Sequence, residues 1–227
     1  MRKINQMVDQ LFNTIPGYIF GILTFTIGLL GDVLALLFSP EYQMLRSSIS
    51  WLGVQRGGIF LRLGFIISNI FAILHIIYLG RSVKDENVND LVRKIAIGCG
   101  IITSINFLLT GVFSGTDPLN SYLHGVFALF SFIGGALTCS TYSYLFSRNP
   151  KFSKSIIYFN IFISGIVASY LIPFFITNFC NLYQSLCFSF GAAVYIIMPT
   201  YEWTMIFGIL LWYLLNSIYL AKKKLLF

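Results

Sequence analysis

Charge is what this sequence has least of. Asp, Glu, Lys and Arg make up 10% of its 227 residues, and hydrophobic residues make up 57%. Soluble domains carry about 25% charged residues, so this composition excludes an ordinary soluble fold. Histidine is scarcer still, with two copies, and the four cysteines form no CxxC pair. With no His-rich tract and no zinc-ligand spacing, the chain presents no metal site and calls for no cofactor. No GxSxG turn marks a nucleophile elbow. The first apolar run is too long for a secretory signal peptide and has no small-residue cleavage site. No fixed-period repeat and no low-complexity tract appears.

What is present is a series of long apolar runs. A helix rising about 1.5 Å per residue needs roughly 20 residues to cross about 30 Å of hydrocarbon. Six runs meet that length, at about 15–38, 59–80, 95–114, 120–147, 155–177 and 200–221. The expected fold is all-α: a polytopic integral membrane protein, a six-helix transmembrane bundle forming one domain over residues 1–227. No soluble domain remains outside the spans.

Twelve of the fifteen basic residues lie in the two tails and the second and fourth loops. Arg46, Arg56 and Arg62, in or beside the first loop, are the exceptions, and the third and fifth loops have none. The positive-inside rule then puts both termini in the cytoplasm and makes the protein a multi-pass component of the cell membrane. The same pattern explains the net charge of +7 without nucleic acid, which would need a basic folded face rather than every second loop. The expected partners are membrane lipids, and a bundle of this kind is compatible with a homo-oligomer or a membrane-protein partner. "VKDENVND" in the second loop reads as a solvated linker. The fifth loop, about 178–199, is apolar but its run from Leu186 to Met198 is too short to span. It reads as an interfacial or re-entrant segment. Cys180 and Cys187 lie there, where an oxidising side would permit a bridge, although a helix would hold them two turns apart.

Polar residues inside the spans fall into stripes. Cys99, Thr103, Asn106 and Thr110 share one face of the third span. His124, Ala128, Ser131, Gly135 and Thr138 share one face of the fourth. A very short loop joins the two spans, so the stripes are expected to meet as a packing seam. Cys99 and Cys139 read as small packing residues. In "SGTDPLNSYLHG", Asp117 before Pro118 is a helix start, the carboxylate capping free N–H groups.

Ionisable residues in lipid are expensive and mark sites or partners. Asp32, Arg62, Asp117, His124 and Glu202 all fall toward the outer third of the bilayer and are the expected ligand-binding residues of one shared cavity. Glu202 beside an imidazole favours the imidazolium, so Glu202 and His124 are expected to pair, with Asp32 close by. His75, near the cytoplasmic end of the second span, reads as structural.

Four segments carry a family likeness: "SISWLG" (48–53), "GGIFLRLGFIIS" (57–68), "LLTGVFSGTDPLNSYLHG" (108–125) and "PTYEWTMIFGILLW" (199–212). In their order they resemble a prokaryotic six-span family catalogued as domain of unknown function number 998. DRAM-like (damage-regulated autophagy modulator) and glycolipid-remodelling membrane proteins look similar in layout. Ser50, Leu52, Gly53, His124 and Glu202 match the family's recurrent positions. Trp51 stands where an aspartate is usual and Trp203 where an arginine is usual, which reads as one compensated loss of a charge pair. The likeness implies a six-span fold and no particular activity.

The cluster leaves three readings. A lipid headgroup is held at the outer leaflet, with Arg62 or Arg46 on phosphate and His124 and Glu202 on hydroxyls. Alternatively, a membrane-embedded hydrolase or acyltransferase uses His124 as base and Ser50 or Ser121 as nucleophile. The third is a small-molecule or ion transporter, for which paired broken helices are missing. The sequence alone assigns no catalytic residue.

Overall fold

All the apolar runs become helices. In a computed structural model of the protein, which describes residues 2–182 and 184–223, the elements are α1 (Arg2–Thr14), α2 (Tyr18–Leu37), α3 (Ile49–Leu52), α4 (Gly58–Ser82), α5 (Asp90–Val112), α6 (Pro118–Arg148), α7 (Lys154–Leu182) and α8 (Gln184–Lys223). No strand occurs among the described residues. Among the described residues, six helices are long and apolar enough to cross a membrane: α2, α4, α5, α6, most of α7, and α8 from Ser189. The protein is a six-helix membrane bundle. Each spanning helix packs on its neighbours in the chain, and α2 closes the ring against α8. The connections therefore alternate between two ends. One end gathers α1 and the basic links around Arg81, Lys84, Arg93, Lys94, Arg148, Lys151 and Lys154. The other carries α3, the 113–117 turn and the α7–α8 junction.

Local sequence sets the helix starts. Asp117 accepts from the Asn120 N–H at 3.0 Å and Pro118 opens α6, as the sequence predicts. That N–H, and then the Asn120 amide, hold the exposed Asp117 carboxyl below its ordinary range. The Asn89 side chain caps α5 through the N–H groups of Leu91 and Val92.

Small residues set the closest helix contact. A Cβ added to Gly31 of α2 would lie 2.8 Å from the Gly64 Cα and 2.9 Å from the Phe60 carbonyl oxygen of α4. Glycine lets two backbones approach where lipid gives no hydrophobic drive to association. Polar pairs lock other contacts. Asn160 and Asn216 exchange amide hydrogen bonds of 3.1 Å between α7 and α8. Ser140 and Ser164 join α6 to α7 at 2.7 Å. The predicted α5–α6 seam is present: Thr103 and Thr138 meet at 3.4 Å, and Ala128, Ser131 and Gly135 are buried. Across the bundle, the Tyr142 hydroxyl donates to the Ile76 carbonyl at 3.1 Å. His75 is fully buried beside Gly17 and against Tyr213, a packing position as expected.

Two features differ from the sequence reading. The N-terminal residues form α1, which buries Phe12 against Tyr78 and Phe20 and pairs Asp9 with Arg81. The reading began the first element near Ile15. The expected interfacial or re-entrant fifth loop is not a separate segment: its residues extend α7 and α8, with Pro199 inside α8. Pro199 is a breaker in a soluble helix, but in a membrane helix the surroundings can re-satisfy the freed backbone groups. The extended helix breaks instead at Cys187, whose backbone leaves helical geometry (φ −146°, ψ 27°). That break brings the Cα atoms of Cys180 and Cys187 to 5.3 Å, and the two are disulfide-bonded.

Candidate functional site

The link between α2 and α4 folds inward and carries α3 into the bundle, burying Ile49 and Leu52. The Ser48 hydroxyl caps this single turn by accepting from the Trp51 N–H at 3.3 Å. Two spanning helices then grip the link. From α8, the Glu202 carboxylate accepts from the Ile49 N–H at 2.9 Å. Also from α8, the Trp203 indole N–H donates to the Tyr42 hydroxyl at 3.1 Å, and that hydroxyl donates to the carbonyls of Ser47 and Ser48. From α6, His124 meets Ser50, with Nε2 to Oγ at 2.9 Å.

His124 has a fixed orientation. Its Nδ1 lies 3.0 Å from the Thr110 carbonyl oxygen of α5. A carbonyl only accepts, so Nδ1 carries the proton. The neutral ring then turns its Nε2 lone pair to Ser50, whose hydroxyl donates. Arg62 of α4 donates from Nη1 to the Ser114 carbonyl at 3.2 Å, while its Nε is buried without a hydrogen-bond partner.

Arg62, His124 and Glu202 line one cavity of about 20 Å³, with Ser50 and Thr110. That is room for about one water molecule. Past Ser50, His124 and Glu202 the space opens into a groove of about 560 Å³ between α6, α7 and α8. Ser48, Ser50, Ser121, His124, Asn178 and Glu202 contribute polar groups to it. Leu129, Phe132, Phe174, Phe175, Tyr195 and Met198 are among the residues that complete its walls.

Of the five residues predicted to share a cavity, three converge. Asp32 lies in a neighbouring pocket of about 30 Å³, with Thr24, Ser68, Asn69 and Tyr213. Phe65, Phe107 and Ile206 line both cavities and form the partition. Asp32 is 1% exposed, and neither carboxyl oxygen has a hydrogen-bond partner among the described residues. An isolated carboxylate in such surroundings is costly. Asp117 is exposed at the start of α6 and spends its oxygens on Asn120. The expected Glu202–His124 pair is corrected: Glu202 binds the Ile49 N–H, and His124 binds Ser50 and the Thr110 carbonyl. The two residues are linked through adjacent positions of α3.

The departures from the family pattern separate too. Trp51 is 54% exposed, whereas Trp203 is 2% exposed and bonded to Tyr42. They occupy different environments and do not replace a charge pair in place. Sequence reasoning missed Tyr42 and the Ile49 N–H. The first had no signal beyond being a tyrosine in the first loop. The second is a backbone group, which no residue type announces.

No curated protein and no solved structure matches this chain. A family profile does match, over residues 22–215, which includes α3 and every residue of the cavity. The chain belongs to the membrane-protein family described as "Protein of unknown function (DUF998)".

Proposed function

We propose that the protein binds a membrane lipid by its headgroup in the groove between α6, α7 and α8, at the outer leaflet of the cell membrane. The observation that carries this reading is the groove itself. It is largely apolar, with a cluster of polar groups beside α3. An amphiphile matches that division, because its polar head needs hydrogen-bond partners when held away from water. Ser48, Ser121 and Asn178 offer neutral partners around the head. Arg62 stands behind the shared wall with a free Nε, as a guanidinium suited to a phosphate or carboxylate. The basic links gather at the opposite end, which by the positive-inside rule faces the cytoplasm.

The test is native mass spectrometry of the protein extracted in mild detergent. Phospholipid is expected to remain bound at about one molecule per chain. Arg62→Gln should retain the fold and lose part of that lipid, since the guanidinium attracts an anionic headgroup across the wall rather than by direct contact. A lipid-free wild-type protein contradicts the reading, as does equal retention by the variant.

A further inference from the structure

We infer that Ser50 and His124 form a nucleophile and base that cleave an acyl ester of the lipid in the groove; the inference rests on the lipid-binding reading of that groove. Four observations meet at one place. The Ser50 hydroxyl faces His124 Nε2 at 2.9 Å, within the reach that nucleophilic catalysis needs. The Thr110 carbonyl fixes the tautomer that leaves Nε2 free to take a proton, the orienting role a third group plays in such sites. Arg62 lines the same small cavity as Ser50 with its buried Nε unbonded, a positive group available to a developing oxyanion. Ser50 and His124 also line the open groove, so a substrate reaches them from one side while the small cavity has room for about one water on the other. Ser121 lines the groove as well, but Ser50 is the hydroxyl bonded to His124.

The step closes in atoms and protons. Ser50 Oγ attacks the ester carbonyl carbon and passes its proton to His124 Nε2. The tetrahedral intermediate collapses, the bond to the alcohol oxygen breaks, and His124 returns the proton to that oxygen. The acyl group is left on Ser50. Water then attacks the acyl-serine carbonyl with His124 again taking the proton; the Oγ–acyl bond breaks and His124 returns that proton to Ser50 Oγ, which releases a fatty acid and restores both residues. Thr110 acts only through His124 and is a positioning residue.

A clamp and a catalytic pair make the same hydrogen bond, so the test must read reactivity. Purified wild-type protein is treated with a fluorophosphonate probe, and the modified peptide is mapped. In parallel it is given phosphatidylcholine with a fluorescent acyl chain in mixed micelles. Labelling at Ser50 and release of fluorescent fatty acid are expected. Ser50→Ala should abolish both. His124→Gln retains an amide that can accept from Ser50 but cannot serve as base. It should melt as a folded protein yet label at least about 100-fold more slowly, the lower range for general base catalysis. Modification of Ser121 instead, or wild-type labelling by His124→Gln, overturns the inference. If the wild type retains phospholipid but neither labels nor releases fatty acid, catalysis is overturned and the lipid reading stands. If it labels at Ser50 and cleaves p-nitrophenyl butyrate but retains no phospholipid, the lipid reading falls, and with it the substrate assigned here.

Discussion

Replacing Glu202 by alanine is expected to loosen α3 and lower the melting temperature in detergent. Glu202 is 3% exposed and its oxygen takes the Ile49 N–H at 2.9 Å. Without it, a buried N–H loses its acceptor, which costs about 1–3 kcal/mol. Glu202→Gln retains an accepting oxygen and should lose less. His124→Ala removes the second anchor, on Ser50, the next residue along. The two anchors hold neighbouring positions of one four-residue helix. Once either is gone, α3 is already partly free, so removing the other costs less. The double mutant should therefore be less destabilised than the sum of the singles, by about 0.5–3 kcal/mol. Strict additivity in the melting series would mean that α3 is not held jointly, and that the walls of the cavity are set independently.

Gly31→Ala should be comparably harmful for a different reason. The added methyl would meet backbone atoms of Gly64 and Phe60, which cannot rotate away as a side chain can. Helices α2 and α4 must separate, and overpacking of that kind costs about 1–3 kcal/mol. Gly98→Ala is the control, because nothing lies within 4 Å of its added Cβ. There alanine should be neutral, or stabilising by about 0.5–1 kcal/mol through helix propensity. Melting curves of the two variants decide it. Equal behaviour would remove the close α2–α4 contact from the account.

Hydropathy made the six spans legible, because crossing hydrocarbon requires a length and a composition that little else demands. The Asp117 cap was legible because its chemistry is local: carboxylate, proline and the donating N–H lie within four residues. The Thr103–Thr138 contact was legible because a short link forces α5 and α6 together. The partners at the centre of the site were not. Glu202 reaches a backbone N–H 153 residues away, and His124 reaches a serine 74 residues away. Depth in the membrane grouped five ionisable residues but could not tell which faces they shared. Asp32 therefore ended behind Phe65, Phe107 and Ile206. Helix α1 was passed over because it is short and amphipathic, although Val8, Leu11 and Phe12 on one face do pack on the core.

The most direct test of the central claim is to map where a phospholipid with a photoactivatable acyl chain crosslinks. Annular lipid touches every outward face, including Ile102 of α5 and Ile161 of α7, which are exposed. A seated lipid should instead crosslink preferentially along the groove, at Leu129, Phe132, Phe174, Phe175 and Met198, and unlabelled phospholipid should compete the crosslinks away. Crosslinks spread evenly over the outer faces of α5 and α7, with no enrichment in the groove, would contradict the account.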